Sequence, residues 1–600
     1  MQRISFMKYA GLVLVIPVLA WAAFAQQAKR VDTNALRNAK KNGDEWLTYG
    51  RDYAETHYSP LKQIDTSNVG RLGLAWSWET GSPAGGRVEG TPLFSNGVLY
   101  GSLAWDVLFA VDARTGKMKW HWEPEISQEH ISQICCGPVN RGVALYNGKV
   151  YAGLLDGRLV ALDQETGKIV WQVQTTDDPG TIITGAVRIV KGKAIVGNSG
   201  AEQAVRGYFT AYDAETGKLA WRFYTVPGDP SKPFEHPDLA AAAKTWTGEW
   251  WKMGGGGTTW DAMAYDPDAD ILYVGTGNGG PWTHIYRSPG GGDNLYLASV
   301  VAVKPDTGKL VWYFQETPGD DWDFTSVQPM ILADITIGGR QRKVLMHAPK
   351  SGFFYVLDRI TGEFISGEKY AKRVTWAKGL DAKGRPIEAK GARAAIDAPA
   401  TISPGPGGAH NWQPMSFSPL TGLVYIPGQE SSYTYRVEPN FTYNKGFRNM
   451  GVVSNLGPRL PDGTTTPTAA PAGPPPREPE GAELQPKATG GFLVAWDPKT
   501  EKERWRITGA GGTNGGGGTL ATAGNLVFHG PIAYNAETGE KLWSADLGGN
   551  NVTPVTYMLD GKQYVTLFAR NYPENRLFTF VLDGKAPIPP MKLAAPAPQR

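Results

Sequence analysis

Short apolar runs broken by the same polar turn dominate this chain. From Leu108 to Trp120 the pattern is an apolar strand, the turn Asp112-Ala-Arg-Thr-Gly116, a second strand, and a Trp. It recurs as Leu159 to Trp171, Phe209 to Trp221 and Val300 to Trp312, where Lys304 replaces the Asp. A weaker copy runs from Phe354 to Gly362. Later copies are Leu493 to Trp505, where Glu501 replaces the Gly, and Ile532 to Trp543, where Asn535 replaces the Asp. A Thr-Gly turn between alternating apolar runs predicts a hairpin. The early copies are spaced at about 50 residues, the scale of one four-stranded propeller blade. A Trp at one register position predicts aromatic planes packed between blades. The segment Met415 to Tyr425 reads as a degenerate eighth copy, so the fold class expected is all-β, a single eight-bladed propeller.

Residues 372–400 and 456–485 interrupt the pattern. The first is charged and turn-rich, and the second is rich in Pro, Gly and Thr, so both predict irregular loops. A Pro/Ala-rich tail is expected over 586–600. At the other end, Arg3 and Lys8 precede an apolar run from Ala10 to Phe24, and Ala23-Phe24-Ala25 forms an A-x-A site. This predicts a signal peptide over 1–25, export to the periplasm, and a propeller over 26–585. The run is short for a bilayer span.

The 75 Gly, 44 Pro and 21 Trp suit a β protein, and a net charge of +3 gives no field suited to nucleic acid. The two cysteines are neighbours, Cys135 and Cys136, so no Cys-x-x-Cys-His haem attachment exists. If bridged, they close almost no loop and form a strained ring of the kind that gathers at functional sites. The alternative is two unrelated buried thiols.

Candidate chemistry lies where blades depart from the repeat. Glu89, Arg141, Glu202, Asn278 and Asp293 stand in turn or edge segments. Gly-rich turns attract Asp and Asn for backbone reasons, so each alone says little. Together, carboxylates and an amide suit a hard cation, Ca²⁺ more than Zn²⁺. The eight His show no zinc spacing. Trp260 falls outside the Thr-Gly…Trp register, which favours a ligand contact over blade packing. Lys350 reads alternatively as a solvated strand-end charge.

The segments Cys135 to Arg141, Gly197 to Gly207, Gly254 to Asp261, Gly275 to Trp282 and Gly292 to Tyr296, together with the repeats, resemble the quinoprotein alcohol dehydrogenases, periplasmic enzymes that use pyrroloquinoline quinone (PQQ). The segment Ala348 to Asp358 is most similar to the quinohaemoprotein branch, whose further cytochrome c domain is not found in this sequence. The resemblance implies PQQ and Ca²⁺ as cofactors. It places a Cys135–Cys136 disulfide on one face of the PQQ ring and Trp260 on the other. Glu89, Arg141, Thr184, Gly200 and Ala201 become rim contacts. Lys350 reaches the quinone oxygens, and Asn411 and Trp412 are further contacts. Glu202, Asn278 and Asp293 become metal ligands, with Asp293 also the catalytic base. Some relatives bind a lanthanide with a carboxylate two residues from the base. Gly291 and Leu295 occupy those places here, which favours calcium.

The function implied is oxidation of a primary or secondary alcohol to the carbonyl product by hydride transfer to PQQ, with a separate soluble cytochrome c as electron acceptor. A homodimer is left open, and neither nucleic acid nor a stable membrane span is expected as a partner. Two alternatives remain: a non-catalytic envelope scaffold propeller, and a PQQ sugar or polyol dehydrogenase. Two local expectations are added. Trp246, Trp250 and Trp251 are expected to form an aromatic lid at the pocket. His529-Gly-Pro-Ile-Ala-Tyr suggests a shortened blade.

Overall fold

The computed structural model describes residues 30–81, 87–127, 137–176, 178, 180–445, 448–453, 456–459, 465–467, 473–482, 490–511, 516–571 and 574–590. The signal-peptide segment, Cys135 and Cys136 lie outside these residues, as does most of the C-terminal tail. Among the described residues, no helix is long and apolar enough to cross a membrane.

Eight mainly antiparallel sheets, six of four strands and two of five, form the propeller. The first blade comprises Leu93–Ser95, Val98–Ser102, Leu108–Asp112 and Met118–Trp122. Blades two to five follow in simple order, starting at Ala144, Arg188, Met263 and Met330. In each, the third strand is buried and the fourth is half-exposed, as in Arg158–Asp163 and Ile169–Gln174. That is why the apolar run before each turn is denser than the run after it.

The sixth blade corrects the repeat count. Ser416–Ser418 and Leu423–Glu430 pair with Gly490–Asp497 and Lys502–Thr508 in one sheet. The Met415 segment is therefore the inner half of the blade whose outer half is the Leu493 copy, and its Thr-Gly joins two inner strands. The true eighth blade has no Thr-Gly turn. It combines Val555–Leu559, Lys562–Asn571 and Glu574–Leu582 with Leu72–Glu79 from the start of the chain. Pairing the two ends of the chain in one sheet closes the ring and removes a free edge. The seventh blade is complete, contrary to the shortened reading. Its four strands span Thr519–Ser544, and Tyr58–Ser59 adds a fifth in parallel to Thr519–Thr522.

At six of the eight junctions a blade docks on the next through one aromatic contact. The Trp76 indole N–H donates to Ala113 O at 2.9 Å, and Trp120 donates to Gln164 O at 3.0 Å. Trp171, Trp221, Trp312 and Trp505 do the same to Ala214, Pro305, Arg359 and Ala536. Each acceptor is the residue after the turn's Asp or its substitute. The turn's Gly lies flat against the same ring: a Cβ on Gly116 would come within 2.5 Å of Trp76, and one on Gly167 within 2.7 Å of Trp120. Both glycines also have φ of +70°. Thr-Gly is thus fixed twice, by conformation and by the neighbouring Trp.

The junction between blades five and six breaks this rule in a matched way. Ser366 stands where the fifth blade should carry its Trp, and Glu501 stands where the sixth should carry its Gly. The Ser366 hydroxyl donates to Glu501 Oε1 at 2.5 Å, and Trp496 Nε1 donates to Oε2 at 3.0 Å. Small-for-large and large-for-small substitutions refill one seam with a polar pair.

A segment near the start of the chain, absent from the repeat, seals the axis. Trp46 bridges to Phe94 of blade one. The Tyr53 hydroxyl donates to Ile189 O of blade three at 2.9 Å. Backbone carbonyls of Tyr53, Ala54, Thr56 and His57 then accept from Tyr265, Leu332, Phe417 and Ala521, in blades four to seven.

Burial raises the Glu501 carboxyl to about 7, with Ser366 and Trp496 pulling it down. A carboxyl whose folded value exceeds its unfolded one stabilises at low pH and loses that contribution as pH rises toward the folded value. Glu501→Gln is therefore expected to gain stability relative to the wild type between pH 5 and pH 8, by about 1–3 kcal/mol. Thermal unfolding of both proteins across that range checks it, and a difference independent of pH contradicts it.

Candidate functional site

A cavity of about 220 Å³ opens among the blades, walled by loops that lead into or out of inner strands. Three groups of side chains line it.

The first group is cationic and aromatic. Arg141 donates from Nη1 to Thr184 Oγ1 at 2.9 Å, and its Nη2 lies 2.8 Å from Glu89 Oε2. Its guanidinium sits 4.7 Å over the Trp260 ring. Glu89 itself is fully buried behind the wall, held also by Arg87 Nη2 at 2.5 Å. A buried carboxylate between two guanidiniums fixes both as rim cations. Thr184 continues the chain to Ser199 Oγ at 2.8 Å.

The second group faces it across the cavity lining. Asn411 donates to Gly407 O at 2.8 Å and accepts from the Trp412 amide at 2.9 Å, which sets the turn presenting both side chains. Gly408 lies so close to Lys350 that a Cβ would reach its Cγ at 2.4 Å. This packing holds the lysine stem, and only 5% of Lys350 is exposed.

The third group is acidic. Gly200 adopts φ of +111° beside Gly180 O, which lets the chain enter the turn Ala201–Gln203 and project Glu202. Glu202 Oε1 accepts from Asn278 Nδ2 and Trp282 Nε1, both at 3.3 Å. Ala201 is buried within that turn. The second acid is Asp323, whose Oδ2 accepts from Lys350 Nζ at 3.0 Å. Burial pushes the Asp323 carboxyl well up, Lys350 opposes that, and Glu202 pushes it further up. Two buried carboxylates and a side-chain amide are the donor types a hard cation takes.

Asp293 is not part of this set. Its carboxylate is held bidentately by Arg385, at 2.7 and 2.8 Å, in a separate surface pocket with His284, Glu388 and Arg393. Arg385 belongs to the 372–400 excursion, so Asp293 pins that loop to the fourth blade. Of the two acids, it is Asp323 and not Asp293 that lines the cavity, although Gly292-Asp-Asn is the more conspicuous turn. The acidic run Asp320-Asp-Trp-Asp323, just before the fifth blade, was the signal available. The aromatic lid is also corrected. Trp246 and Trp250 are buried against Val226 and Leu297, donating to Leu295 O and Pro227 O, and none of Trp246, Trp250 and Trp251 lines the cavity. Gln413, Gln429, Ser199 and Thr258 line it without having been singled out.

The chain matches a family model described as the glucose/ethanol/alcohol dehydrogenase beta-propeller domain, over residues 46–369 and 389–565. The chain belongs to the PQQ-dependent alcohol dehydrogenases. It is 50% identical to the quinohemoprotein alcohol dehydrogenase ADH IIB of Pseudomonas putida, over 98% of this chain and 84% of that protein. It is 44% identical to a 1-butanol dehydrogenase (cytochrome c) of Thauera butanivorans, over 91% of this chain and 79% of that one. The crystal structure of the Comamonas testosteroni quinohemoprotein alcohol dehydrogenase superposes with a TM-score of 0.85 at 46% identity, covering 95% of this chain and 85% of that chain. A europium-containing methanol dehydrogenase gives 0.80 at 32% identity, over 92% and 100%. Family membership sets aside the scaffold alternative.

The residues present fit the family's cofactor. A flat polyanion needs aromatic faces and cationic rims, which Trp260, Arg141 and Lys350 offer. Thr258 and Ser199 add further polar residues to the lining.

Arg141→Ala is expected to destabilise the fold by about 3 kcal/mol, because it strips one partner from the buried Glu89. Denaturant unfolding checks it; a change within about 0.5 kcal/mol, as at ordinary surface sites, contradicts it.

Proposed function

We propose that this chain is a periplasmic enzyme that oxidises a primary alcohol to its aldehyde with PQQ and Ca²⁺, and passes electrons to a separate cytochrome c. The observation carrying this reading is the convergence of Glu202, Asn278 and Asp323 beside Lys350 in the cavity that Arg141 and Trp260 also line. The export signature over 1–25 supports the compartment. The relative named for 1-butanol and cytochrome c supports the substrate class and the acceptor.

When bound, PQQ supplies the two-electron acceptor, and a calcium ion at Glu202, Asn278 and Asp323 supplies Lewis acidity. The chain's own residues do the rest. Trp260 offers a flat apolar face, and the Cys135–Cys136 disulfide is assigned to the other. Arg141, held by Glu89 and Thr184, receives an anionic edge. Gly200 and Ala201 shape the turn that brings Glu202 forward, and Asn411 and Trp412 close the opposite rim.

Asp323 is the base that takes the alcohol's hydroxyl proton, in place of Asp293. Of the residues two away, Thr325 is no carboxylate and Asp321 is engaged by the His284 backbone and ring outside the cavity lining, so calcium remains the metal proposed. Asp323's burial and the neighbouring Glu202 both favour the protonated form, which makes the ionised carboxylate a willing acceptor once substrate is seated. Lys350 orients that carboxylate through its 3.0 Å contact.

Asp323→Asn is expected to lower alcohol-dependent dye reduction by about 10²–10⁴-fold, the usual worth of a general base. Asp293→Asn is expected to leave the rate within a few-fold of the wild type. The opposite ranking in the PQQ- and Ca²⁺-loaded proteins contradicts the assignment.

A further inference from the structure

Behind Trp260 lies a buried line of alternating charge that the proposed chemistry does not use. It runs Glu89, Arg141, Asp261, Arg188, Glu55, and no side chain in it is more than 8% exposed. Its two ends are paired at close range: Arg87 Nη2 and Arg141 Nη2 lie 2.5 and 2.8 Å from the Glu89 oxygens, and Arg188 donates from Nε to Glu55 Oε1 at 2.9 Å and from Nη1 to Ala186 O at 2.9 Å. The centre is looser. Both carboxylate oxygens of Asp261 are buried without a hydrogen-bond partner. Arg141 Nε lies 3.7 Å from its Oδ2, beyond hydrogen-bond length. A buried carboxylate without hydrogen bonds is poorly stabilised in its charged form. It depends on the field of its two flanking guanidiniums.

One of those guanidiniums also lines the cavity. An anion seated against Arg141 competes with Asp261 for the same positive charge and adds negative charge beside it. We propose that Asp261 is a proton-uptake site coupled to the cavity, so that seating an anionic ligand against Arg141 loads a proton from solvent onto the Asp261 carboxylate. The inference rests on the reading of the cavity as a PQQ site, and it makes Asp261 a positioning residue that never touches the ligand. Once neutral, Asp261 no longer draws on Arg141, whose full charge then serves the ligand.

The surroundings are consistent with this. Burial raises the Asp261 carboxyl to about 6, Arg141 and Arg188 pull it down, and Glu89 pushes it up. Burial raises Glu55 to about 7, against Arg188 and with Asp52 and Asp261. The other titratable or charged groups facing the line are Arg87 on Glu89, the Tyr49 hydroxyl, and His57, which burial keeps neutral. The Arg188 guanidinium lies 4.3 Å over the Tyr49 ring. A small cavity adjoins the far end. It measures about 20 Å³, enough for one water, and is lined by Thr48, Tyr49, Glu55 and Arg188. Thr48 Oγ1 and the Tyr49 hydroxyl are buried there without partners.

The test is calorimetry of PQQ binding at pH 7 in two buffers of different ionisation enthalpy, which counts protons taken up per ligand. Wild type and Asp261→Asn are titrated after EDTA treatment, which removes proton release at the Glu202 cluster. The wild type is expected to take up roughly half a proton per PQQ, as for a group near 6 displaced upward by about one unit. The variant is expected to bind PQQ with uptake near zero. Wild-type binding without uptake overturns the inference with no variant needed, and equal uptake in a folded variant overturns it too. Absence of any PQQ binding by the wild type overturns the cofactor reading itself and the inference with it.

Discussion

The contact of one indole with one glycine in the next blade is the constraint on which this molecule depends. It repeats at six of the blade junctions, and each instance sets both the spacing and the angle of neighbouring sheets. Trp76 carries the pattern across the closure, because the strand Leu72–Glu79 that bears it completes the eighth blade and docks on Gly116 of the first. A ring built this way has one rigid diameter. Its central cavity is therefore fixed by packing far from the chemistry, and loops that enter the inner strands can place polar side chains there without carrying the fold.

The axis shows what that rigidity allows. The stretch from Trp46 to Ser59 bonds to the inner strands of most blades and fills one part of the central channel, leaving charge to be buried in the rest. Glu89, Arg141, Asp261, Arg188 and Glu55 are costly to bury singly, and they are tolerated as an alternating line held by blades and plug together. The same framework positions Glu202, Asn278 and Asp323 from three separate loops. No local motif joins these three, since their proximity is a property of the closed ring.

That explains what could and could not be read from the chain. The hairpin repeat is local, so the propeller, its Trp contacts and its eight blades were legible. The sixth and eighth blades were misassigned because one is split by the long 431–489 excursion and the other has no Thr-Gly turn to mark it. Most of the candidate wall residues were legible through family motifs and do line or support the cavity. A turn-forming Gly-Gly-Asp-Asn looks like a ligand loop in sequence, whereas in the structure a bidentate arginine from a distant excursion holds the Asp293 carboxylate away from the cavity. Trp246 and Trp250 read as a lid because exposure cannot be seen in a sequence; both have their own apolar partners. The Ser366–Glu501 exchange was half visible, as a missing Gly and a missing Trp whose relation only the packing reveals.

The central claim is that Asp323 completes the cation and substrate site. The most direct measurement is a crystal structure of the protein loaded with PQQ and Ca²⁺, using the anomalous signal to locate the metal. The account places one peak within about 2.3–2.6 Å of oxygens from Glu202, Asn278 and Asp323. A metal bound instead by Asp293, with Asp323 still engaged only by Lys350, would contradict it.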